Sequence, residues 1–335
     1  MPKIVRFHKF GGPEVLQIDE LPEEQPGFGE VRIKVLAFGL NRADYLYRNN
    51  MHAVIPRLPS RIGYEATGII DAIGPDVKDW KVGDRVSNVP LGSPDYGVCG
   101  ESAILPACTL MPVPPHLSVE EATSIWMQYM TAWGGLIAFG EMQAEDLILV
   151  TAASSSAGIG AIQLAKDAGA FVIATTRTAA KKEFVKSVGA DCVVVTEEEN
   201  IAESVRRFTN GKGVRLVYDC IGGPFLERCV AATAFGGKVI LYGLLSGRPT
   251  EVPIIPMCLN EISLHPYSMI TIFNDPVRRN AGLNYVHGRL ACDAFRPIID
   301  RVFSLPEIVD AHRYLEQNEQ RGKIVVRVTA REGTN

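Results

Sequence analysis

The stretch Thr151-Ala-Ala-Ser-Ser-Ser-Ala-Gly-Ile-Gly160 decides how this chain is read. It follows a compact apolar run at 147–150 and leads into a helical segment at 159–168. A strand that ends in small residues and opens a helix presents backbone N–H groups, and the positive end of the helix dipole, to an anion. The small side chains let a pyrophosphate approach the backbone, and the last glycine lets helix and strand pack. Alone, such a turn also fits a purely structural connection, so the sequence on either side has to decide. Downstream, 171–175, 192–195, 216–218 and 238–242 read as strands, while 181–188, 201–208 and 225–232 read as helices. Strands alternating with helices indicate βαβ units and a parallel sheet.

Upstream the texture differs. Val31, Ile33 and Val35 alternate with Arg32 and Lys34, the period-two pattern of a half-buried strand. Ile69, Ile70 and Ile73 lie between glycines in a second β-rich run at 63–74, and Gly83-Asp84-Arg85-Val86 is a turn entering another strand. Nine prolines between 56 and 115 punctuate the region, which suits an irregular β domain of short strands and turns. The segment 119–139 reads as helical. Beyond about residue 265 the pattern is mixed, with helices over 276–289 and 306–318 and a closing strand at 324–328.

The chain has 335 residues, enough for about two domains. With 47% hydrophobic and 21% charged residues it has ample material for a core, which excludes a disordered chain. A formal net charge of −4 and the lack of a basic stripe argue against nucleic acid as a partner. No run of eighteen apolar residues occurs, so no membrane span is expected. Lys3, Arg6 and Lys9 interrupt the N-terminus where a signal peptide would need an apolar core. The seven cysteines (99, 108, 192, 220, 229, 258 and 292) are odd in number and widely spaced, which favours the cytoplasm over a disulfide framework. The scattered histidines and cysteines give no zinc-ligand spacing.

The next strand end identifies the nucleotide. A free ribose 2′-hydroxyl calls for an acid about 20 residues past the glycine turn. Here the stretch is Thr175-Thr176-Arg177-Thr178, followed by Lys181 and Lys182. Hydroxyls and cations suit a 2′-phosphate, so the expected cofactor is NADPH rather than NADH. Gly236-Gly237-Lys238 lacks the rest of a phosphate loop, no Gly-x-Ser-x-Gly elbow occurs, and no tyrosine precedes a lysine by four residues.

The order of these parts resembles the medium-chain dehydrogenase/reductase superfamily, specifically its zinc-independent quinone oxidoreductase branch. The matching stretches span nearly the whole chain. They are Phe10-Gly-Gly-Pro-Glu-Val-Leu16, Gly39-Leu-Asn-Arg-Ala-Asp44, Gly63-Tyr-Glu-Ala-Thr-Gly68, Gly83-Asp-Arg-Val86, Met127-Gln-Tyr-Met-Thr-Ala132, the turn ending at Gly160, and Gly322-Lys-Ile-Val325. The resemblance implies an α/β fold: a GroES-like β-rich catalytic domain from 1–122 and 266–335, and an inserted Rossmann domain, a doubly wound parallel sheet, at 123–265 that binds NADPH.

By position, the zinc enzymes of the superfamily have a cysteine where this chain has Asn41 and a histidine where it has Tyr64. Their four-cysteine lobe is reduced here to Cys99 and Cys108, so no metal is expected. Asn41 resembles the residue that contacts the nicotinamide ribose and lines the substrate site, and Thr131 the threonine near the nicotinamide. Ser155, Ser156, Ala157, Gly158 and Ile159 would meet the pyrophosphate, and Thr176, Arg177 and Lys181 the 2′-phosphate. Tyr242, Gly243 and Leu244 would pass beside the nicotinamide, and Lys323 would reach a phosphate. The branch often has a tyrosine where this chain has Leu46, flanked by Tyr45 and Tyr47; Tyr47 is taken as the catalytic candidate. Thr196 stands where an adenine-stacking tyrosine is usual.

The expected reaction is hydride transfer from NADPH to a quinone or another α,β-unsaturated carbonyl. The negative charge would be met by donors such as Asn41, a nearby tyrosine or backbone N–H groups, with solvent supplying the final proton. The rival readings are an enoyl or alkenal reductase of acyl-thioesters or lipid aldehydes, and a non-catalytic NADPH-binding redox sensor. The late strands within 239–270 imply a homodimer.

Overall fold

A computed structural model describes residues 1–328; positions 329–335, part of the expected GroES-like domain, lie outside the described residues. The chain divides into two compact units. One is Met1–Met127 with the chain from Pro297 onward, and the other is Gln128–Arg296.

In the first unit the strand Glu30–Gly39 is central. It pairs antiparallel with Glu65–Ile73, Ser102–Pro106 and Lys323–Arg327, so the two ends of the chain share one sheet. Val31, Ile33 and Val35 are fully buried, as the alternation predicts, while Lys34 points to solvent. Arg32 lies on the polar face but is also buried, with Nε donating to Asp71 at 2.9 Å. The strand Ile299–Ser304 lies parallel to Lys323–Arg327. The helix Ile308–Gln317 connects them and buries Ile308, Ala311 and Leu315 in the same core. A three-stranded sheet of Leu16–Glu20, Lys3–Phe7 and Ser60–Arg61 completes the unit. One helix, Arg42–Arg48, interrupts a region whose glycines and prolines predict only strands and turns. Its seven residues are too few for a periodic pattern to emerge.

The second unit is a six-stranded parallel sheet in the order Cys192–Val195, Phe171–Thr176, Leu147–Val150, Val214–Asp219, Thr233–Leu241, Ser263–Pro266. Numbered along the chain that order is 3-2-1-4-5-6, the doubly wound Rossmann arrangement. The edge strand Ser263–Pro266 falls within the late strands expected over 239–270, while the helix Ile254–Leu259 before it is additional to the expected elements. The helix is short and half of its residues are exposed apolar ones, so it shows no amphipathic stripe. Residues 266–296 group with this unit, beyond its expected end at 265, and the helix Pro276–Ala291 among them packs on it through Gly282, against Met130 and Trp133. The segment 119–139 is helical but divided: Val119–Ala122, Trp126–Ala132, and a π-helical stretch Trp133–Phe139. Among the described residues no helix is long and apolar enough to cross a membrane.

Candidate functional site

In a doubly wound sheet, ligands bind at the carboxyl ends of the strands where the strand order reverses. Here that point lies between Leu147–Val150 and Val214–Asp219. The chain leaves Val150 through Thr151, whose Oγ1 donates to Asp219 Oδ1 at 2.6 Å. Asp219 also accepts from the backbone N–H groups of Ile221 (3.1 Å) and Gly222 (3.0 Å). Burial pushes its carboxyl up, against the pull of these hydrogen bonds. Thr151 and Asp219 therefore brace the two strand ends, a role that sequence reading does not assign to either.

The turn then enters the helix Ser156–Asp167. Ser155 caps it, accepting from Gly158 N at 3.1 Å. Ser155, Ser156 and Ala157 are half-buried, while Gly158 and Ile159 are buried. A Cβ on Gly158 would lie 2.7 Å from Ala153 Cα and 2.9 Å from Ala152 O, so only glycine lets the helix start this close to the turn. Gly160 does not face the strand, as the sequence suggests, but the preceding helix: its Cβ position is 3.3 Å from Gln128 O and Tyr129 Cδ1.

At the end of the next strand, Thr176 is buried and donates to Thr178 O at 3.0 Å. Arg177 is exposed, with Nε 3.7 Å from Glu197 Oε1. Such an exposed pair is weak and leaves the guanidinium available to an anion. Lys181 ends the short turn Ala179–Lys181. Thr196 donates its N–H to Thr176 O at 2.8 Å. Tyr242 is half-buried, with its hydroxyl buried and its ring stacked on Tyr218 at centroids 4.0 Å apart, while Gly243 is half-buried and Leu244 exposed. Thr131 is buried, and its hydroxyl donates to Met269 Sδ at 3.4 Å. A helix N-terminus, a close-packed glycine turn and a strand end that carries Arg177 and Lys181, with Glu197 loosely paired to the guanidinium, fit a dinucleotide with a 2′-phosphate.

The candidates in the first unit gather around Asn41, the N-cap of the helix Arg42–Arg48. Its backbone N–H donates to Asp44 Oδ2 at 2.7 Å, and Asp44 N donates back to Asn41 O at 3.0 Å. Asp44 is fully buried, and desolvation raises its carboxyl to about 7. The Asn41 amide turns away from the helix. Nδ2 donates to Gly39 O and Glu65 Oε1, both at 3.2 Å, and Oδ1 accepts from Lys323 Nζ at 2.6 Å. Lys323 also forms a close ion pair with Glu65, whose other oxygen accepts from Met127 N at 3.0 Å. Lys323 is 1% exposed, so its ammonium lies inside this cluster and not at a surface open to phosphate.

Three rings stand beside it. Tyr47 and Tyr64 meet edge to face at 6.3 Å, and His52 lies 5.5 Å from Tyr64 and 6.3 Å from Tyr47. Ser60 Oγ donates its single proton to Arg61 O at 3.0 Å, so Tyr47 is the donor in its 2.8 Å bond with Ser60. His52 Nδ1 accepts from Val54 N at 3.2 Å, so Tyr64 is the donor in its longer 3.3 Å bond to the same nitrogen. Burial lowers the His52 imidazole and raises both phenols. Met51, Ile55 and Leu58 are exposed apolar residues on the loop that carries His52.

These residues do not fit a zinc ion. The first ligand position is an amide whose carbonyl already faces an ammonium, and the second is a phenol. Cys99 is buried with its thiol pushed up in pKa, and Cys108 is exposed. Among the described residues no group of three or more His, Cys, Asp or Glu side chains is arranged to hold a metal.

Residues 27–115 match the family model described as "Alcohol dehydrogenase GroES-like domain", and residues 157–278 the one described as "Zinc-binding dehydrogenase". The chain is 34% identical over 253 residues to quinone oxidoreductase 1 of Escherichia coli, covering 74% of this chain and 75% of that protein. It is 29% identical over 327 residues to a quinone oxidoreductase of Pseudomonas aeruginosa, covering 97% and 99%. The crystal structure of Escherichia coli quinone oxidoreductase complexed with NADPH superposes with a TM-score of 0.89 at 27% identity, covering 97% of this chain and all of that one. The chain belongs to the medium-chain dehydrogenase/reductase superfamily, in its quinone oxidoreductase branch. It is an oxidoreductase built from a GroES-like domain and a Rossmann domain.

Proposed function

We propose that this protein is an NADPH-dependent, zinc-independent reductase that transfers a hydride to a quinone or another α,β-unsaturated carbonyl. The observation that carries the reading is the strand end at Thr176, Arg177 and Lys181, beside a glycine turn at the switch point of the sheet. When bound, NADPH supplies the hydride and the protein holds it against the electrophile. Backbone N–H groups at Ser155, Ser156 and Ala157 hold the pyrophosphate, with Gly158 and Ile159 packed behind them. Arg177 and Lys181 pair with the 2′-phosphate, while Thr176 supports their strand end. Asn41 Oδ1, which retains a lone pair, accepts from a ribose hydroxyl. Thr131 contacts the nicotinamide, and the backbone of Tyr242, Gly243 and Leu244 passes beside it.

Both Nδ2 protons of Asn41 are engaged, so its amide is assigned to the cofactor and not to the developing oxyanion. Tyr47 has spent its proton on Ser60 and acts as a wall of the substrate site. Tyr64 makes the longest bond of the set and is the donor that a substrate oxygen recruits. Solvent supplies the final proton. The exposed loop residues Met51, Ile55 and Leu58 support an apolar substrate.

The protein is assigned to the cytoplasm, and its late strands to a homodimer. NADPH oxidation measured against quinones, enals and enoyl-thioesters, with a chelator present, tests the assignment. Turnover with quinones or enals supports it. A preference for acyl-thioesters would move it to the enoyl reductases, and tight NADPH binding without any turnover would make it a redox sensor.

A further inference from the structure

In the Asn41 cluster the ammonium of Lys323 faces the carboxylate of Glu65, and each residue is 1% exposed. A buried pair of this kind costs several kcal/mol of desolvation per ion and need not add stability, so its use is to be sought in what it orients. Lys323 Nζ can only donate, so the Asn41 atom 2.6 Å from it must be the carbonyl oxygen. Gly39 O and Glu65 Oε1 can only accept, so the atom 3.2 Å from both must be the amide nitrogen. The flipped amide would set an NH₂ group against an ammonium and an oxygen against a carboxylate and a carbonyl. The three neighbours therefore allow one orientation.

The path of the lysine is built into the backbone as well. A Cβ on Gly39 would lie 2.7 Å from Lys323 Cε, 3.0 Å from Thr123 O and 3.2 Å from Glu65 Oε1. Only a glycine at that place lets the side chain pass and reach Asn41.

We propose that Lys323 is a positioning residue for Asn41: its ammonium fixes the amide so that the carbonyl oxygen, with one lone pair free, is what the nicotinamide ribose meets. Lys323 then contributes to cofactor binding through Asn41 and not by touching phosphate. The inference rests on the reading that Asn41 contacts that ribose, and the test separates the two.

Two ligands are titrated by fluorescence: NADPH, and 2′-phosphoadenosine 5′-diphosphate, which carries the adenine-side phosphates but no nicotinamide ribose. The proteins are the wild type, Asn41→Ala, Lys323→Met and the double variant. Each single change should weaken NADPH about tenfold, the worth of one hydrogen bond. The double variant should also lose about tenfold, because both changes remove the same contact. The phosphate ligand should hold its affinity within about twofold throughout, and kcat at saturating NADPH should fall less in Lys323→Met than KM for NADPH rises.

Equal loss of both ligands in Lys323→Met would make the lysine a phosphate contact and overturn the proposal. So would additive losses near a hundredfold in the double variant. If Asn41→Ala leaves NADPH binding intact while Lys323→Met weakens it, the ribose reading of Asn41 is what fails, and the positioning role falls with it. Removal of Lys323 leaves the Glu65 carboxylate buried without its cation. Lys323→Met with Glu65→Gln removes both charges and is the companion variant if the single one does not fold. It should give the same split between the two ligands, and the same equal loss would overturn the proposal.

Discussion

The Tyr64 phenol donates to His52 across 3.3 Å, while Tyr47 donates to Ser60 across 2.8 Å. If Tyr64 is the donor a substrate oxygen recruits, Tyr64→Phe should lower kcat by about ten- to a hundredfold and leave NADPH affinity unchanged. Tyr47→Phe should change kcat by less than about threefold; steady-state kinetics on both variants decides between them. Asp44 makes a different prediction. Its carboxyl is raised to about 7 by burial, above an ordinary value of 3.8, so the folded protein holds the proton longer than the unfolded chain. Folding stability from this group is therefore full below the unfolded value, is lost as pH rises from about 4 through about 7, and is level above that. The slope is at most about 1.4 kcal/mol per pH unit. Urea midpoints from about pH 5 to about pH 8 should fall in the wild type relative to Asp44→Asn, and parallel curves would refute the shift. Neither the partners of these residues nor their proton counts can be read from sequence, because His52, Ser60 and Tyr64 come from a loop and a strand that only the fold brings to Tyr47. Lys323 did carry a signal: it is a charge beside the apolar run Ile324-Val325-Val326, and such a charge must be paired when buried, whereas Glu65 has no such run beside it.

At the scale of elements, the parallel strands and the helices between them were legible because they are long, apolar and regularly spaced. The turn before the helix Ser156–Asp167 was legible from its serines and glycines, but the helix starts three residues before the expected 159, because Ser155 caps it. Helix Arg42–Arg48 was not, since a two-turn helix anchored by Asn41 and Asp44 owes its existence to a capping contact and to tertiary burial, not to periodicity. The edge strand Ser263–Pro266 was expected only as one of the late strands within 239–270, without bounds, because it is its backbone pairing to Thr233–Leu241 that defines it. The strand Phe171–Thr176 and the turn after it carry the two cations assigned to the 2′-phosphate. Arg177→Ala with Lys181→Ala should weaken NADPH by about a hundredfold or more and spare NADH, since two charge-assisted contacts worth about 1.5–3 kcal/mol each are lost. Equal losses for the two nucleotides in a calorimetric titration would contradict the 2′-phosphate assignment.

For the whole molecule, the sharing of one sheet by Lys323–Arg327 and Glu30–Gly39 makes the first unit discontinuous in sequence, which was expected only because the family resemblance implies it. The second boundary was harder to place, because the helix Pro276–Ala291 follows the last strand of the parallel sheet without a change in composition. In the second unit, Phe235, Ile254, Ile255 and Leu259 are exposed apolar residues close to the edge strand Ser263–Pro266, with Gly236 N donating to Asn260 O at 2.8 Å. An unpaired strand edge beside an apolar surface suits a second copy of the chain. Ile255→Asp with Leu259→Asp should therefore shift the mass measured by light scattering from dimer to monomer, and an unchanged dimer would place the contact elsewhere. Oxidation of NADPH by the purified protein should be rapid with simple quinones or enals and unaffected by prior treatment with a zinc chelator. Loss of that activity on chelation, or no turnover with any quinone or enal while NADPH still binds, would contradict it.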